Sequence, residues 1–285
     1  MKTVRDLGEF GLIAKLCEDL PACGDDCAVL PAARRDRYLL FTCDPVIENI
    51  HYLPETPAYR VGWKAMARNL SDIAAMSGLP RYAVVSLGLR PETPVRYVTE
   101  LYRGLRAAAN RFHCEVVGGD TAHVRGDQFI VIAMLGEVEK QRLVRRHGAR
   151  PGDVVFVTGP LGGSFASGHH LTFTPRIREA RWLTAHYQIH AMLDLSDGLA
   201  SDLQRLIDAG GVGFALESAK IPCRTTLNAA LTEGEDFELL FTVSSRDAAS
   251  LRKRFHEIGS VIPKPVILLD DQPLRIHGYD HFRSK

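Results

Sequence analysis

The sequence predicts an α+β protein built from two units that each combine a sheet with helices. Over residues 4–138, helical and strand-like patterns follow the order helix, two strands, helix, strand, helix, two strands. A regular βαβ array would alternate strictly, so this order favours an α+β layer. The basic segment 140–150 leads into Pro151-Gly152-Asp153, a combination typical of a turn before a new strand. We therefore expect a first domain over residues 1–139 and a second over residues 140–285.

The first domain has apolar residues at both helical and strand spacing. Apolar positions three and four apart predict helices, and short apolar runs between turn residues predict strands. The predicted helices are 4–18, 58–77 and 99–112, and the predicted strands are 28–30, 38–42, 81–89, 115–117 and 128–138. The run 38–42 is apolar throughout, which predicts a strand covered on both faces. Asn69, Ser71 and Asp72 interrupt an otherwise strong helix, which indicates a face turned toward something polar.

The second domain repeats the mixture of strands and helices. The predicted strands are 153–158, 192–194 (the end of a strand), 214–217, 237–243 and 261–269, and the predicted helices are 176–186, 199–210 and 245–259. Gly259 would end the last of these helices. Pro263 and Pro265 break the final strand, so we expect that strand at an edge of the sheet.

Composition argues against several classes of protein. The chain has 285 residues, of which 46% are hydrophobic and 24% are charged, as in a globular protein with a core. Its net charge of +1 gives no electrostatic case for binding nucleic acid or an acidic membrane surface. The first residues are charged and lack the apolar region of a signal peptide, and no apolar run approaches a membrane span. We expect a cytoplasmic protein whose six cysteines, which form no C-x-x-C pair, are reduced thiols.

Aspartates recur beside glycine, serine or threonine, mostly at the ends of predicted elements, where binding groups tend to lie. The most prominent stretch is Asp194-Leu-Ser196-Asp197-Gly198, between a strand and a helix. Taken alone, Ser196 or Asp197 could simply cap that helix. Four similar clusters weaken this interpretation, and they are Gly24-Asp25-Asp26, Thr42-Cys43-Asp44, Asn69-Leu70-Ser71-Asp72 and Gly118-Gly119-Asp120.

Six carboxylates would meet if the two domains face each other, and they are Asp26, Asp44, Asp72, Asp120, Asp194 and Asp197. Clustered carboxylates are unfavourable unless cations neutralise them or some take up protons. Oxygen ligands select Mg²⁺ or Ca²⁺, and Mg²⁺ is usually shared between carboxylates and substrate phosphates. The cluster therefore indicates a polyphosphate ligand, of which ATP is the common one. Gly118 and Gly119 would allow a phosphate to approach closely, and Arg146 either binds a phosphate oxygen or belongs to a solvated basic run.

With these motifs in place, the chain resembles the thiamine-monophosphate kinase family, within the aminoimidazole ribonucleotide synthetase-like superfamily. The motifs occur in the order found in that family and span nearly the whole chain. His51 and the string Gly234-Glu-Asp-Phe-Glu-Leu distinguish this family from its superfamily relatives. The matching strings begin at Gly24, Thr42, Lys64, Gly118, Arg150, Asp194, Gly234 and Gly278.

The resemblance implies direct transfer of the ATP γ-phosphoryl group to thiamine phosphate, with several Mg²⁺ ions and no phospho-enzyme. The metal ligands it implies are Asp26, Thr42, Cys43, Asp44, Asp72, Asp120, Asp194 and Asp197. Of these, Asp44, Asp120 and Asp194 would support catalysis through metal binding and charge stabilisation. The implied ATP contacts are Gly119, Asp120, Arg146 and Ser196, and the implied substrate contacts are His51, Glu235 and Ile276. The resemblance also implies a homodimer through a mostly antiparallel N-terminal sheet, with the site lying between the domains.

The sequence departs from the family pattern mainly at the acceptor end. Cys43 replaces a usual serine or threonine, Asn49 and Glu233 replace usual glycines, and Ile276 replaces a usual aromatic residue. The aspartates are all retained. Two alternatives therefore stay open: another ATP-dependent enzyme of the superfamily with a different acceptor, or a nucleotide-binding protein without turnover.

Overall fold

Two β-sheets with helices form the fold of this chain, in a computed structural model that describes residues 2–17, 20, 24–276 and 278–282. The strands are β1 (Ala28–Pro31), β2 (Arg37–Ile47), β3 (Leu79–Leu89), β4 (Glu115–His123), β5 (Phe129–Glu139), β6 (Val154–Val157), β7 (Ile189–Asp194), β8 (Gly213–Leu216), β9 (Leu239–Val243), β10 (His256–Ile262), β11 (Ile267–Leu269) and β12 (Gln272–Pro273). The helices are α1 (Val4–Cys17), α2 (Ala58–Ala75), α3 (Val95–Arg111), α4 (Ser164–Ser167), α5 (Ile177–His186), α6 (Leu199–Gly210), α7 (Leu227–Thr232) and α8 (Ser245–Leu251). This arrangement confirms the predicted α+β class, while the domain boundary at residues 139 and 140 stays a prediction.

The first sheet has the strand order β1-β2-β5-β3-β4, and only the pair β3–β4 is parallel. Its inner face buries residues such as Leu40, Val46 and Ile132 beneath α2 and α3. The two helices cross closely because a side chain at Gly62 would collide with the Leu101 carbonyl, 1.9 Å from the added Cβ. Glycine at this crossing is therefore required by packing rather than by backbone conformation.

The outer face of the first sheet is open in the single chain. Phe41, Leu135 and Tyr82 lie side by side across β2, β5 and β3, and their side chains are 42%, 37% and 50% exposed. The prediction that strand 38–42 is covered on both faces is therefore wrong for one chain, because none of the described elements packs outside Phe41. An exposed apolar row of this kind marks an interaction surface more often than a solvated one.

The second sheet has the order β12-β11-β8-β10-β6-β9-β7 and is covered on both faces. Along β6, Val154 and Phe156 join the core beneath α2 and α5, whereas Val155 and Val157 join a second core beneath α6. All four residues of β6 are buried, so the apolar run without alternation reflects a central strand. The second sheet thus contacts the helices of the first sheet directly, which brings the strand ends of the two halves together.

Two predictions about the C-terminal part are wrong. The helix predicted over 245–259 ends at Leu251, and His256–Ile262 forms β10 in the middle of the sheet. Phe255 and Ile258 lie three residues apart and imitate helical spacing, but Ile258 and Val261 face the sheet cores. The prolines follow β10 rather than interrupting an edge strand.

Further expectations from composition have mixed outcomes. Cys27, Cys43, Cys114 and Cys223 are free thiols, as predicted, whereas Cys17 is disulfide-bonded, which contradicts the prediction for that residue. Cys23 lies outside the described residues. Among the described helices, none combines the length and apolar character needed to cross a membrane.

Glu139, at the end of β5, attaches α5 to the first sheet. Its carboxylate accepts two hydrogen bonds from Arg181, at 2.6 and 3.0 Å, and the Arg181 guanidinium lowers the pKa of Glu139 from 4.5 to about 2. Because the pKa is lower in the folded state, the stabilisation is complete above pH 4.5 and is lost as the pH falls toward 2. We expect Glu139→Gln to reduce the free energy of unfolding by about 1–2 kcal/mol at pH 7 and by less at pH 3.5. Urea unfolding at both pH values measures this, with the exposed Glu115→Gln as control; equal losses at the two pH values would contradict the assigned pair.

Candidate active site between the two sheets

Three carboxylates from distant parts of the chain meet where the two sheets join. Asp26 lies in the turn before β1, Asp72 lies in α2, and Asp194 ends β7. One oxygen from each carboxylate lies within 4.8 Å of the other two. The polar face predicted on α2 has a partner here, because Ser71 Oγ donates to Asp194 Oδ2 at 2.5 Å. Thr42 Oγ1 similarly donates to Asp72 Oδ2 at 2.5 Å.

The electrostatics of this acidic cluster, formed by Asp26, Asp72 and Asp194, favour a bound cation. Burial, together with the charges of Asp44 and Asp194, raises the pKa of Asp72 well above its usual value. Burial and the Asp26 charge likewise raise the pKa of Asp194 to about 7. Ionised carboxylates at this separation repel each other, and a divalent cation removes that cost. Three hard oxygen donors fit Mg²⁺ by their chemistry.

Arg146 contacts the acidic cluster through Asp26 and is not part of a solvated basic run. Its guanidinium donates to both carboxylate oxygens of Asp26, at 2.8 and 3.3 Å, and its side chain is only 16% exposed. The neighbouring Asp25 accepts from the Arg146 backbone N–H at 2.9 Å and from Arg145 at 2.5 Å. The loop that precedes the second sheet is therefore fixed against the turn before β1.

Side chains one helical turn apart connect the acidic cluster to a second group of charges. Lys64, Arg68 and Asp72 occupy one face of α2. Arg68 Nε donates to Asp44 at 3.3 Å, and its Nη1 donates to Glu235 at 3.2 Å. Lys64, which is fully buried, pairs with the other oxygen of Glu235. Arg68 thus bridges Asp44 and Glu235, and Asp72 of the acidic cluster lies one helical turn further along α2.

Glu235 owes its charge to these contacts. Burial alone would raise its pKa, but the contacts with His170, Lys64 and Arg68 outweigh burial and hold the pKa of Glu235 at about 2. Burial also lowers the pKa of Lys64 to about 8, although the Glu235 charge opposes this change. The backbone at Glu235 has a φ of 65°, so the carboxylate is presented from a left-handed turn. Such strain is common where a side chain must be aimed at a ligand.

A cavity of about 240 Å³ opens beside Glu235. Its lining residues are Ile50, His51, Arg68, Phe165, Ser196, Asp197, Thr232, Glu233, Gly234, Glu235, Tyr279 and His281. Burial and the charge of Arg68 lower the pKa of His51 to about 3, so its imidazole is neutral. His51 Nδ1 accepts from the Ile47 backbone N–H at 3.0 Å, which leaves the proton on Nε2. His51 is therefore a neutral hydrogen-bond donor at the cavity.

The capping interpretation of Ser196 and Asp197 is wrong. Gly198, with a φ of 95°, is the N-cap of α6, and no side chain caps this helix. Ser196 and Asp197 line the cavity instead. Asp197 pairs with Arg205, and its backbone N–H donates to Asp202 at 3.1 Å.

Part of the predicted site lies away from the cluster. Asp44, Ile132, Val85 and Gly119 are aligned across β2, β5, β3 and β4. Gly119 and Asp120 therefore lie roughly 14 Å from Asp44, three inter-strand steps away. Both residues are exposed on the edge strand β4, and Cys43 is exposed on the outer face of β2. Within one chain, these groups do not meet Asp26, Asp72 and Asp194.

The departures at the acceptor end have individual structural explanations. Asn49 adopts the left-handed conformation, with a φ of 61°, which suits a position where glycine is usual. Glu233 accepts a hydrogen bond from the Gly163 backbone N–H at 2.8 Å. Ile276 packs partly buried against the C-terminal core and does not line the cavity, whereas Tyr279 does. The role of Ile276 as a substrate contact stays a prediction.

Several functional candidates were absent from the sequence-based set. They are Lys64, Arg68, Phe165, His170 and the buried Asp202. Lys64, Arg68 and Asp72 repeat at intervals of four, which is a detectable helical pattern in the sequence. Phe165 and His170 carry no comparable pattern, because the contacts of His170 with Lys64 and Glu235 join residues more than 60 positions apart.

Both halves of the chain match a known protein family. The model of the AIR synthase related protein N-terminal domain matches residues 24–138, and that of the C-terminal domain matches residues 150–267. The chain is thus an AIR synthase related protein in both halves. The thiamine-monophosphate kinase of Aquifex aeolicus (strain VF5) is 33% identical, covering 98% of this chain and 99% of the relative. That of Rhodopirellula baltica is 37% identical, covering 79% and 77% respectively.

A solved structure of the same family is also similar to this chain. AaThiL complexed with AMPPCP and TMP matches with a TM-score of 0.91 and 32% identity, covering 99% of both chains. The chain belongs to the thiamine-monophosphate kinase family, and it is an enzyme of that family. The resemblance inferred from the motifs is confirmed.

Proposed function

We propose that this protein transfers the γ-phosphoryl group of ATP to thiamine phosphate, giving thiamine diphosphate and ADP in a Mg²⁺-dependent reaction. One observation carries the proposal: the acidic cluster adjoins a cavity, in a chain similar over 99% of its length to AaThiL complexed with AMPPCP and TMP. The transfer would be direct and in line, because positioning and charge stabilisation supply most of the rate in such reactions.

In this proposal, the residues at one end of the site bind Mg²⁺ and phosphate, and the residues at the other end bind the acceptor. Asp26, Asp72 and Asp194 would hold Mg²⁺, which when bound neutralises the charge on the transferring phosphoryl group. Arg146, which here donates to Asp26, would bind a phosphate oxygen when Mg²⁺ occupies that carboxylate. Ser196 and Asp197 connect the cluster to the cavity.

The acceptor end uses a neutral donor and a fixed carboxylate. His51 offers Nε2–H for a hydrogen bond, and Glu235 stays ionised through its contacts with Lys64 and Arg68. The hydrogen-bond donor of His51 and the carboxylate oxygens of Glu235 both line the cavity, and together they suit the polar groups of a heteroaromatic acceptor such as thiamine.

We further propose a homodimer in which Asp120 serves the partner's site. Asp120 is exposed on β4, too far from Asp44 for both to contact one metal in the same chain. The open row of Phe41, Leu135 and Tyr82 supports association through the outer face of the same sheet. In a two-fold dimer formed through that face, the exposed Asp120 of each chain would be presented to the other chain.

The activity itself is tested with purified protein, ATP, thiamine phosphate and Mg²⁺. We expect thiamine diphosphate and ADP to accumulate in equal amounts, and removal of Mg²⁺ by EDTA to stop both. ADP release that requires a different small molecule would overturn the proposal in favour of another acceptor. Tight ATP binding without acceptor-dependent ADP release would overturn it in favour of a non-catalytic role.

A further inference from the structure

An aromatic side chain, Phe165, lines the cavity and has no role in the reaction as proposed above. Phe165 lies in α4 and lines the cavity, and its side chain is 44% exposed although it is large and apolar. Its ring is stacked on the imidazole of His170, with centroids 4.0 Å apart and planes inclined by 15°. One face of Phe165 is therefore covered by His170, and the ring is also part of the cavity lining.

The ring beneath Phe165 is held firmly. His170 is buried, and its Nδ1 lies 2.7 Å from Lys64 Nζ and 3.2 Å from Glu235 Oε2. Lys64 Nζ also lies 5.4 Å from the centre of the Phe165 ring. The contacts with Lys64 and Glu235 fix the position of His170, because a movement of these groups would leave a buried charge without a partner. Phe165 thus rests on a rigid base and not on a mobile loop side chain.

The other aromatic side chains that line the cavity are arranged differently. His281 contacts both His51 and Tyr279, with ring centroids 5.3 Å apart for His51 and 4.9 Å apart for Tyr279. These rings are inclined to each other by 55° and 85°, so they present edges to one another. Ile276 packs partly buried against the C-terminal core and is not among the residues that line the cavity. Phe165 is accordingly the stacked aromatic platform among the described residues that line the cavity.

We propose that Phe165 is a specificity-determining residue that binds the acceptor by stacking against its flat heteroaromatic ring. The inference rests on the proposed function and adds the surface that selects the acceptor. A flat heteroaromatic ring above Phe165 would stack on it and would lie in the same cavity as the Glu235 carboxylate. Acceptors that carry a flat heteroaromatic ring and a phosphate are favoured over aliphatic phosphates.

The test measures binding of thiamine phosphate by calorimetry in the presence of AMPPCP and Mg²⁺, together with steady-state kinetics. For Phe165→Ala we expect Kd and KM for thiamine phosphate to rise about tenfold or more, the scale of removing a ring that stacks on a base. We expect kcat and the KM for ATP to change by less than about twofold, because Phe165 contacts neither the acidic cluster nor Arg146.

Two further variants separate stacking from packing. Phe165→Leu keeps apolar bulk and should bind nearly as weakly as Phe165→Ala, whereas Phe165→Trp should bind nearly as well as the wild type. Val95→Ala, at an exposed position on α3, is the control for effects of protein preparation. Full affinity in Phe165→Leu, or an unchanged Kd in a folded Phe165→Ala, overturns the inference. Failure of the wild type to form thiamine diphosphate is a separate result, which overturns the proposed function; if the wild type also fails to bind thiamine phosphate, the inference falls with it.

Discussion

Replacement of Asp72 by asparagine is expected to lower kcat by about two to three orders of magnitude, the scale of losing one electrostatic stabiliser. Asp72 contributes an oxygen to the acidic cluster and receives the hydrogen bond of Thr42, which asparagine can still accept. The substitution therefore removes charge with little change in shape. Kinetics with saturating ATP and thiamine phosphate over a range of Mg²⁺ concentrations measure the effect.

The same variant gives a second readout that a damaged fold would not produce. Because Asp26, Asp72 and Asp194 repel one another, Asp72→Asn should be at least as stable as the wild type without Mg²⁺. The increase in melting temperature caused by Mg²⁺ should become smaller, since stabilisation by a bound ion follows its affinity. Asp208→Asn, at an exposed position of α6, should leave both quantities unchanged. A loss of activity below tenfold would count against the metal role of Asp72.

Replacement of Val84 by arginine is expected to dissociate the proposed homodimer and to remove nearly all activity. Val84 is 42% exposed and lies on the outer face of β3, in register with Ala133 of β5. Two charges placed at the centre of an apolar dimer interface would face each other without partners. Sedimentation and activity measured on the same sample test the expectation, with Val95→Arg on α3 as control. A monomeric Val84→Arg protein with full activity would show that each chain works alone.

A mixing experiment tests specifically whether Asp120 acts across the dimer. Asp72→Asn and Asp120→Asn proteins should each be nearly inactive, but a mixed dimer has one site with both aspartates intact. Random re-association of a symmetric dimer should therefore restore roughly a quarter of wild-type activity. If Asp120 instead serves its own chain, mixing would restore nothing.

The sequence was informative about the members of the acidic cluster and less so about its shape. Asp26, Asp72 and Asp194 were predicted because each stands beside a small polar residue near an element end or in a polar interruption of a helix. Their meeting depends on two sheets packing against α2, which no local pattern encodes. Asp120 was placed in the same group, although strand order puts it three strands away within one chain.

Other differences have local physical causes. Residues 256–259, at the start of β10, were predicted as the end of a helix because Gly259 is a typical helix stop, and the sheet on both sides of β10 overrides that preference. The stack of Phe165 on His170 was missed because a single aromatic residue in a glycine-rich turn has no periodic neighbours. The charges Lys64 and Arg68 were missed although their spacing with Asp72 was visible, since basic residues on a helix are usually solvated.

Helix α2 carries both Lys64, which pairs with Glu235 at the cavity, and Asp72 of the acidic cluster on one rigid element. Lys64 and Asp72 are eight residues apart, which corresponds to about 12 Å along the axis. Side-chain adjustments can alter this distance only slightly, because Lys64 and Ser71 are both fully buried. The helix thus sets a fixed distance. Under the proposed function, a phosphate ester too short to reach from Glu235 to the acidic cluster cannot present its oxygen to the γ-phosphoryl group, however well its ring is bound.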